Sequence, residues 1–258
     1  MVEPLVTIGI PVYNCERFIA LAVKSVLNQT YNNFELIIID DGSTDGTVDV
    51  LRQFNDPRLT FLSDGENRGI AYRLNQQIEI AKGKYFCRMD GDDIMFPDRL
   101  RRQIDYLESH QGVDVVGSSA VIIGDENEII GIRLFKENGK DNSCIEFIHP
   151  TVCGKTTFFK KFKYRNELKG IEDLDLWHRS RSDASFIQLN TPTLFYRDPL
   201  VFKLKVYLFR QKQLRKGLYC WLKEGLIRKY DFLRQMFQII LKISISSLLH
   251  TLGKDQLM

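Results

Sequence analysis

The run Cys87-Arg88-Met89-Asp90-Gly91-Asp92-Asp93 places three carboxylates directly after an apolar stretch that begins at Lys84. Such a cluster at the end of a strand repels itself unless something compensates the charge. Hard divalent cations such as Mg²⁺ and Mn²⁺ prefer oxygen ligands, take one or two protein carboxylates, and leave the remaining positions to water and substrate phosphates. A diphosphate held through a metal is the chemistry this cluster suggests, and a solvated acidic turn is the plain structural alternative.

A second acidic site bears on that choice. Phe34 to Ile39 is an apolar run of buried-strand length, and Asp40-Asp41-Gly42-Ser43-Thr44-Asp45-Gly46-Thr47 follows it as a turn leading into a helix. In open α/β sheets, ligands bind outside the carboxyl ends of the strands. Two strands that both end in carboxylates are therefore expected to deliver them to one crevice.

The elements needed to hold these residues are legible in the first half. Short apolar runs alternate with amphipathic stretches, which predicts an α/β fold with a mostly parallel sheet covered by helices. Strands are expected near 5–11, 34–40, 58–62, 84–89 and 113–121, and helices near 15–29, 45–54, 69–82 and 97–109. Asp125 to Asn142 reads as a hairpin plus a loop. Ser185 to Leu189 and Thr193 to Tyr196 read as two short strands turned by Asn190-Thr191-Pro192, and Pro11 is expected to end the first strand's ladder.

At 258 residues the chain can bury a large core, and its 44% hydrophobic content is that of a globular protein. The N-terminus lacks the pattern of a secretory leader, and the five cysteines have no Cys-x-x-Cys spacing. Reduced thiols in the cytosol are expected, with Cys87 acting as a small core hydrophobe. The net charge of +3 hides an asymmetry: residues 200–258 hold twelve Lys and Arg against three Asp and Glu. The rest of the chain is net acidic. After Pro199 the character shifts to long basic helical stretches, so 1–199 and 200–258 are expected as separate parts.

Six segments together resemble the family 2 glycosyltransferases of the GT-A fold: Val6 to Asn14, Ser25 to Tyr31, the Asp40 to Asp45 turn, Asn67-Arg68-Gly69, Asp90 to Asp93 with Pro97-Asp98-Arg99-Leu100, and Glu172 to Trp177. The resemblance spans Val6 to about Arg179 and implies a Rossmann-like domain with a donor half near 1–124 and an acceptor half near 125–199. It implies an inverting transfer of sugar from a nucleoside diphosphate.

The resemblance also implies roles. Pro11 and Tyr13 would lie at the nucleobase, Asp41 would accept the N3–H of a uracil ring, and Asp40 would fix the turn beside it. A uridine or thymidine diphosphate is favoured over cytidine on that ground. Asn67 would line the nucleotide site, with Arg68 or Arg73 offsetting phosphate charge. Asp90 would meet ribose or assist the metal, and Asp92 would ligate Mn²⁺ or Mg²⁺. Asp93 stays open between a further ligand and a turn cap. Asp173 matches the base that deprotonates the acceptor hydroxyl, with Glu172 as the alternative. His149-Pro150-Thr151 resembles a segment near the sugars, although the family's arginine after it is replaced here by Gly154-Lys155-Thr156.

The expected function is single-sugar transfer from a UDP-sugar to a glycan or lipid-linked glycan of the cell surface, since the Gln-x-x-Arg-Trp signature of processive relatives is absent. The basic tail, with its aromatic and aliphatic positions, suits an anionic membrane surface on the cytoplasmic side, though Phe232 to Leu252 reads as a poor spanning helix. A helical lid or dimer contact is the alternative for the tail. No nucleic-acid recognition motif is present. Two other classes compete: a non-catalytic nucleotide-sugar-binding scaffold, and a nucleotidyltransferase, which should carry a Gly-rich basic loop where Pro11 to Glu16 stand.

Overall fold

The computed structural model of the chain describes residues 3–135, 147–198 and 203–251. These group into two compact units, one of 1–164 with 181–199, the other of 165–180 with 200–258. The expected acceptor-half helix at Glu172 thus groups with the tail segment.

The first unit is built on one sheet. Its strands are β1 (Val6–Val12), β2 (Phe34–Asp40), β3 (Leu59–Ser63), β4 (Tyr85–Arg88), β5 (Ile94–Met95), β6 (Val115–Ile123), β7 (Ile129–Arg133), β8 (Cys153–Lys155) and β9 (Phe186–Arg197). They run in the order β3-β2-β1-β4-β8-β6-β9-β5, with β7 paired to β6. The half that carries both acidic turns, β3-β2-β1-β4, is parallel throughout. Antiparallel β8 then joins β4 to β6, and β9 returns parallel to β6.

All seven residues of β1 are buried, as expected for a central strand covered on both faces. Val6, Ile8, Ile10 and Val12 belong to a core shared with Ile19, Val23 and Val26 of α1 (Ile19–Leu27) and Leu100, Ile104 and Leu107 of α4 (Arg99–Ser109). The alternate residues face the other side, where a Cβ on Gly9 would lie 2.5 Å from the Phe86 ring and 2.9 Å from Gln77 Oε1. Gln77 sits in α3 (Ile70–Ile80), which covers that face. The remaining helices of this unit are α2 (Thr47–Leu51) and α5 (Thr156–Lys161).

Three expectations are corrected. Pro11 does not end the ladder, because it pairs with Ile39 inside β1. The pairing of β1 with β4 stops at Gly9, so a side that needs no donor from residue 11 is available, and a proline is tolerated there. Asn190-Thr191-Pro192 is not a turn between two strands. Ser118 pairs with Leu189 and Ser119 with Pro192, so the extra residues bulge out and β9 continues. Cys87 and Cys153 are not separate thiols: they face each other across β4 and β8 and are joined by a disulfide. The 125–142 hairpin appears as β6 and β7 turned at Gly124 to Glu128, with Asn127 at φ 65°. Its expected loop beyond Phe135 lies outside the described residues.

The second unit contains α6 (Glu172–Ser180), α7 (Leu204–Lys223) and α8 (Lys229–Thr251). Leu218 and Trp221 of α7 pack with Ile227, Phe232 and Ile239 in a small core of their own.

Candidate functional site

Adjacent strands β2, β1 and β4 all point the same way, so their carboxyl ends bring Asp40, Tyr13 and Asp90 to one edge of the sheet. The corner after β1 is held in place by the acidic turn. Asn14, at φ 51°, accepts the Thr44 N–H through Oδ1 at 2.8 Å and donates its own N–H to Ser43 Oγ at 2.9 Å. Asparagine is among the few side chains that enter this left-handed region readily. Tyr13 beside it is 48% exposed.

Asp40 and Asp41 are both buried but do different work. Asp40 accepts the N–H groups of Gly42 and Ser43 at 3.2 Å and the Ser63 hydroxyl at 3.0 Å, which shapes the turn. Asp41 Oδ1 accepts the Arg68 N–H at 2.8 Å and the Arg73 Nε–H at 2.8 Å, while Oδ2 takes the Gly69 N–H at 2.9 Å. The loop bearing Asn67 crosses so close to the turn that a Cβ on Gly42, at φ +75°, would lie 2.9 Å from Asn67 N. Only glycine fits that crossing. Asn67 itself is exposed at its rim.

Arg73, not Arg68, is the inward arginine. Arg73 is buried and also reaches Asp64 at 2.6 Å, holding that carboxyl well below its usual range. Arg68 lies on the surface with Glu66 and the Tyr72 ring.

In the second acidic turn, a Cβ on Gly91 would lie 2.8 Å from Val12 Cγ1. The glycine therefore lets the Asp90 to Asp93 loop seat against the end of β1. Carboxylate oxygens of Asp90, Asp92 and Asp93 lie within 4.8 Å of one another, but their surroundings separate them. Asp90 is ion-paired with buried Arg88. Asp93 is fully buried; its Oδ1 accepts the Arg197 N–H at 2.9 Å, and burial followed by the neighbouring carboxylates pushes it well up. Asp92 is half-buried, and burial with the Asp90 charge pushes it up to about 6. A hard divalent cation fits this donor set, since it adds positive charge where three carboxylates crowd and needs only one or two of them. Asp92 would hold it, with Asp90 beside it.

Arg197 was not singled out by its sequence context. From the end of β9 it donates to Asp92 O at 2.9 Å through Nε, to Asn127 Oδ1 at 2.6 Å through Nη2, and to Gly124 O through Nη1. Its guanidinium lies over the Phe18 ring, 4.2 Å from the centroid. One planar fork thus ties the Asp90–Asp93 loop to the β6–β7 turn, which suits arginine and not lysine.

His149 is buried, bonded to Tyr164 Oη at 2.9 Å, and burial holds it well below the usual histidine range. It is a neutral interior group. In the second unit, Glu172 is buried and accepts the Gly170 N–H, whereas Asp173 is half-buried and accepts the Leu174 N–H at 2.8 Å.

A parallel-stranded edge carrying an Asp-Asp turn and an Asp-x-Asp turn on the two strands that flank β1 is the arrangement of a GT-A-type fold. The profile of Glycosyl transferase family 2 matches residues 7–168, and the chain belongs to that family. Among similar proteins is the putative glycosyltransferase EpsE of Bacillus subtilis, 36% identical over 185 residues that take in 68% of this chain and 66% of EpsE. Among solved structures, S. aureus TarS 1-349 in complex with UDP aligns at a TM-score of 0.65 and 21% identity, covering 83% of this chain and 65% of that one. The mannosyltransferase PcManGT from Pyrobaculum calidifontis, in complex with GDP-Man and Mn²⁺, aligns at 0.65 and 17% identity, covering 86% and 65%. This chain spans about two thirds of the length of each of these three.

Proposed function

We propose that the chain transfers a single sugar from a nucleoside diphosphate, with UDP favoured, to a hydroxyl of a glycan or lipid-linked glycan, inverting the anomeric carbon. The observation that carries the reading is the pairing of the Asp41–Arg73 turn and the Asp90-Gly91-Asp92 loop at one sheet edge, either side of Tyr13. Tyr13 would offer its ring face to the base, with Pro11 and Asn67 as the other expected nucleotide contacts. Asp41 Oδ2 keeps a lone pair for a ring N–H, as uracil provides and cytosine does not. The UDP in TarS is compatible with this; the GDP-Man in PcManGT marks the competing donor class.

Asp92, with Asp90, would hold Mn²⁺ or Mg²⁺. The ion would supply Lewis-acid stabilisation of the departing diphosphate. Asp173 would take the acceptor proton as general base; its partial exposure favours it over Glu172, whose carboxylate is turned into its own loop.

The tail reading is deepened by α8. Its inner face buries Phe232 and Ile239 against α7, while its outer face exposes Tyr230, Leu233, Phe237, Ile240, Leu241 and Ile245. Lys229–Thr251 is long and apolar enough to cross a bilayer by length and composition. Crossing would drag in α7, whose exposed face carries Lys205, Arg210, Lys212, Arg215 and Lys216. We therefore read α8 as lying in an anionic membrane surface with these cations at the headgroups, on the cytoplasmic side.

The deciding experiment is nucleotide release from a panel of UDP, GDP and TDP sugars with Mn²⁺. Release confined to UDP-sugars is expected. Binding without release from any donor would favour a scaffold. For the tail, co-sedimentation with anionic liposomes should weaken as salt rises, and salt-independent binding would count against it.

A further inference from the structure

Asp175 lies two residues after Asp173 in the same turn of α6, and its surroundings are unlike those of its acidic neighbours. It is fully buried. Oδ1 accepts the indole Nε1–H of Trp221, from α7, at 2.9 Å, and Oδ2 accepts the Arg179 Nε–H at 2.7 Å. Arg165 Nη1 stands 3.6 Å from Oδ1, and its other nitrogen reaches Glu224 of the α7 C-cap at 2.8 Å. Two carboxylates and two guanidiniums thus meet around the helix.

Trp221 is itself fully buried and stacks on the His178 ring at 4.1 Å. One turn earlier, a Cβ on Gly217 would lie 2.8 Å from Ile171 Cδ1, so the α7 backbone comes right up to the entry of α6. A buried carboxylate is tolerable only when paired and hydrogen-bonded. The indole supplies a single directional donor. Because consecutive helix residues are about 100° apart, a slip of α6 by one residue would take Asp175 off the indole and swing Asp173 into the packed side.

We propose that Trp221 and Asp175 are positioning residues for transfer: through their hydrogen bond the tail helix α7 sets the rotation of α6 and so the presentation of Asp173. The tail is then part of the transfer machinery, apart from any membrane role. This rests on the reading of Asp173 as the base.

The test uses the whole 258-residue chain. Trp221→Phe keeps the stacked ring and removes the donor; Asp175→Ala removes the acceptor and releases Arg165 and Arg179. Both should lower kcat for transfer by roughly 10- to 100-fold, the range of a small misplacement of a reacting group, with donor KM and UDP affinity within about twofold. The acidic limb of the kcat profile should also move, which a purely stabilising contact would not cause. Should Trp221→Phe not fold, Asp175→Ala carries the same comparison. Unchanged kcat, or a fall matched by lost donor affinity, overturns the proposal. Asp173→Asn in parallel separates the two readings: if it is inactive while Trp221→Phe is normal, the positioning role fails and the base stands. If Asp173→Asn retains full transfer, the base assignment fails and the positioning role with it.

Discussion

Arg73 Nε donates to Asp41 Oδ1 at 2.8 Å, with the two side chains 1% and 7% exposed. The arginine arises from the first turn of α3 and the carboxylate from the turn after β2, thirty-two residues apart. Their pairing explains how an acidic pair survives inside the protein: Asp40 is satisfied by its own turn, and Asp41 by a cation from the neighbouring element.

Removing that cation should be costly. Arg73→Met leaves Asp41 buried with backbone donors alone, and breaking a buried ion pair from one side costs about 3–5 kcal/mol. Urea unfolding should show that loss as a lower midpoint. Arg73→Lys, which cannot fork to Asp41 and Asp64 together, should fall between Met and wild type.

Asp92→Asn removes the half-buried carboxylate while preserving shape. UDP should bind the variant with the same affinity in Mn²⁺ and in EDTA, whereas wild type should lose at least about tenfold, near 1.4 kcal/mol, when the metal is withdrawn. Calorimetry reads both. A metal effect of equal size in the variant would move the ligand role to Asp90 or Asp93.

Arg197→Lys keeps the charge but cannot serve Asp92 O, Gly124 O and Asn127 Oδ1 from one plane. Mn²⁺-supported UDP affinity should fall by roughly tenfold, since loss of a charge-assisted hydrogen bond is worth about 1.5–3 kcal/mol. Affinity measured without metal should stay put. If both fall together, Arg197 supports the whole sheet edge and not the Asp90–Asp93 loop in particular.

His149 gives a pH prediction. Burial, then the Arg88 charge, holds it well below the unfolded value near 6.5. Above that pH it is neutral in both states and contributes nothing; as pH falls through 6.5 the unfolded chain takes up a proton that the folded chain refuses. Stability from this group therefore drops on acidification, by up to about 1.4 kcal/mol per pH unit. Asp92 and Asp93, raised by burial, act in the opposite sense, so the quantity to measure is wild type minus His149→Gln. That difference should be flat above pH 7 and slope below 6.5.

Much of the donor half could be read from the chain. The runs at Val6, Phe34 and Lys84 are too apolar to be anything but buried strands, and each is punctuated by residues, Asn14, Gly42 and Gly91, whose backbone freedom or small size the turns require. Local pattern suffices there because strand burial and turn chemistry are set within a few residues. The carboxylates that end β2 and β4 were visible for the same reason, as was the helix that opens at Glu172.

Other features depended on which distant residues meet. Nothing near Arg73 or Arg68 in the chain tells which of them turns inward; the register of α3 against β1 and β2 does. Arg197 gains its role because β9 runs through Pro192 without turning, which the bulge opposite Ser118 and Ser119 permits. Cys87 and Cys153, sixty-six residues apart, meet only because β8 lies antiparallel to β4. Asp173 and Asp175 are alike in type and neighbourhood, yet one is half-buried and the other is closed in by Trp221, forty-six residues beyond Asp175. Sequence by itself determined which groups could do chemistry. Tertiary structure decided which of them are neutralised, which are buried, and which remain accessible, because charge pairing and desolvation act through space and not along the chain.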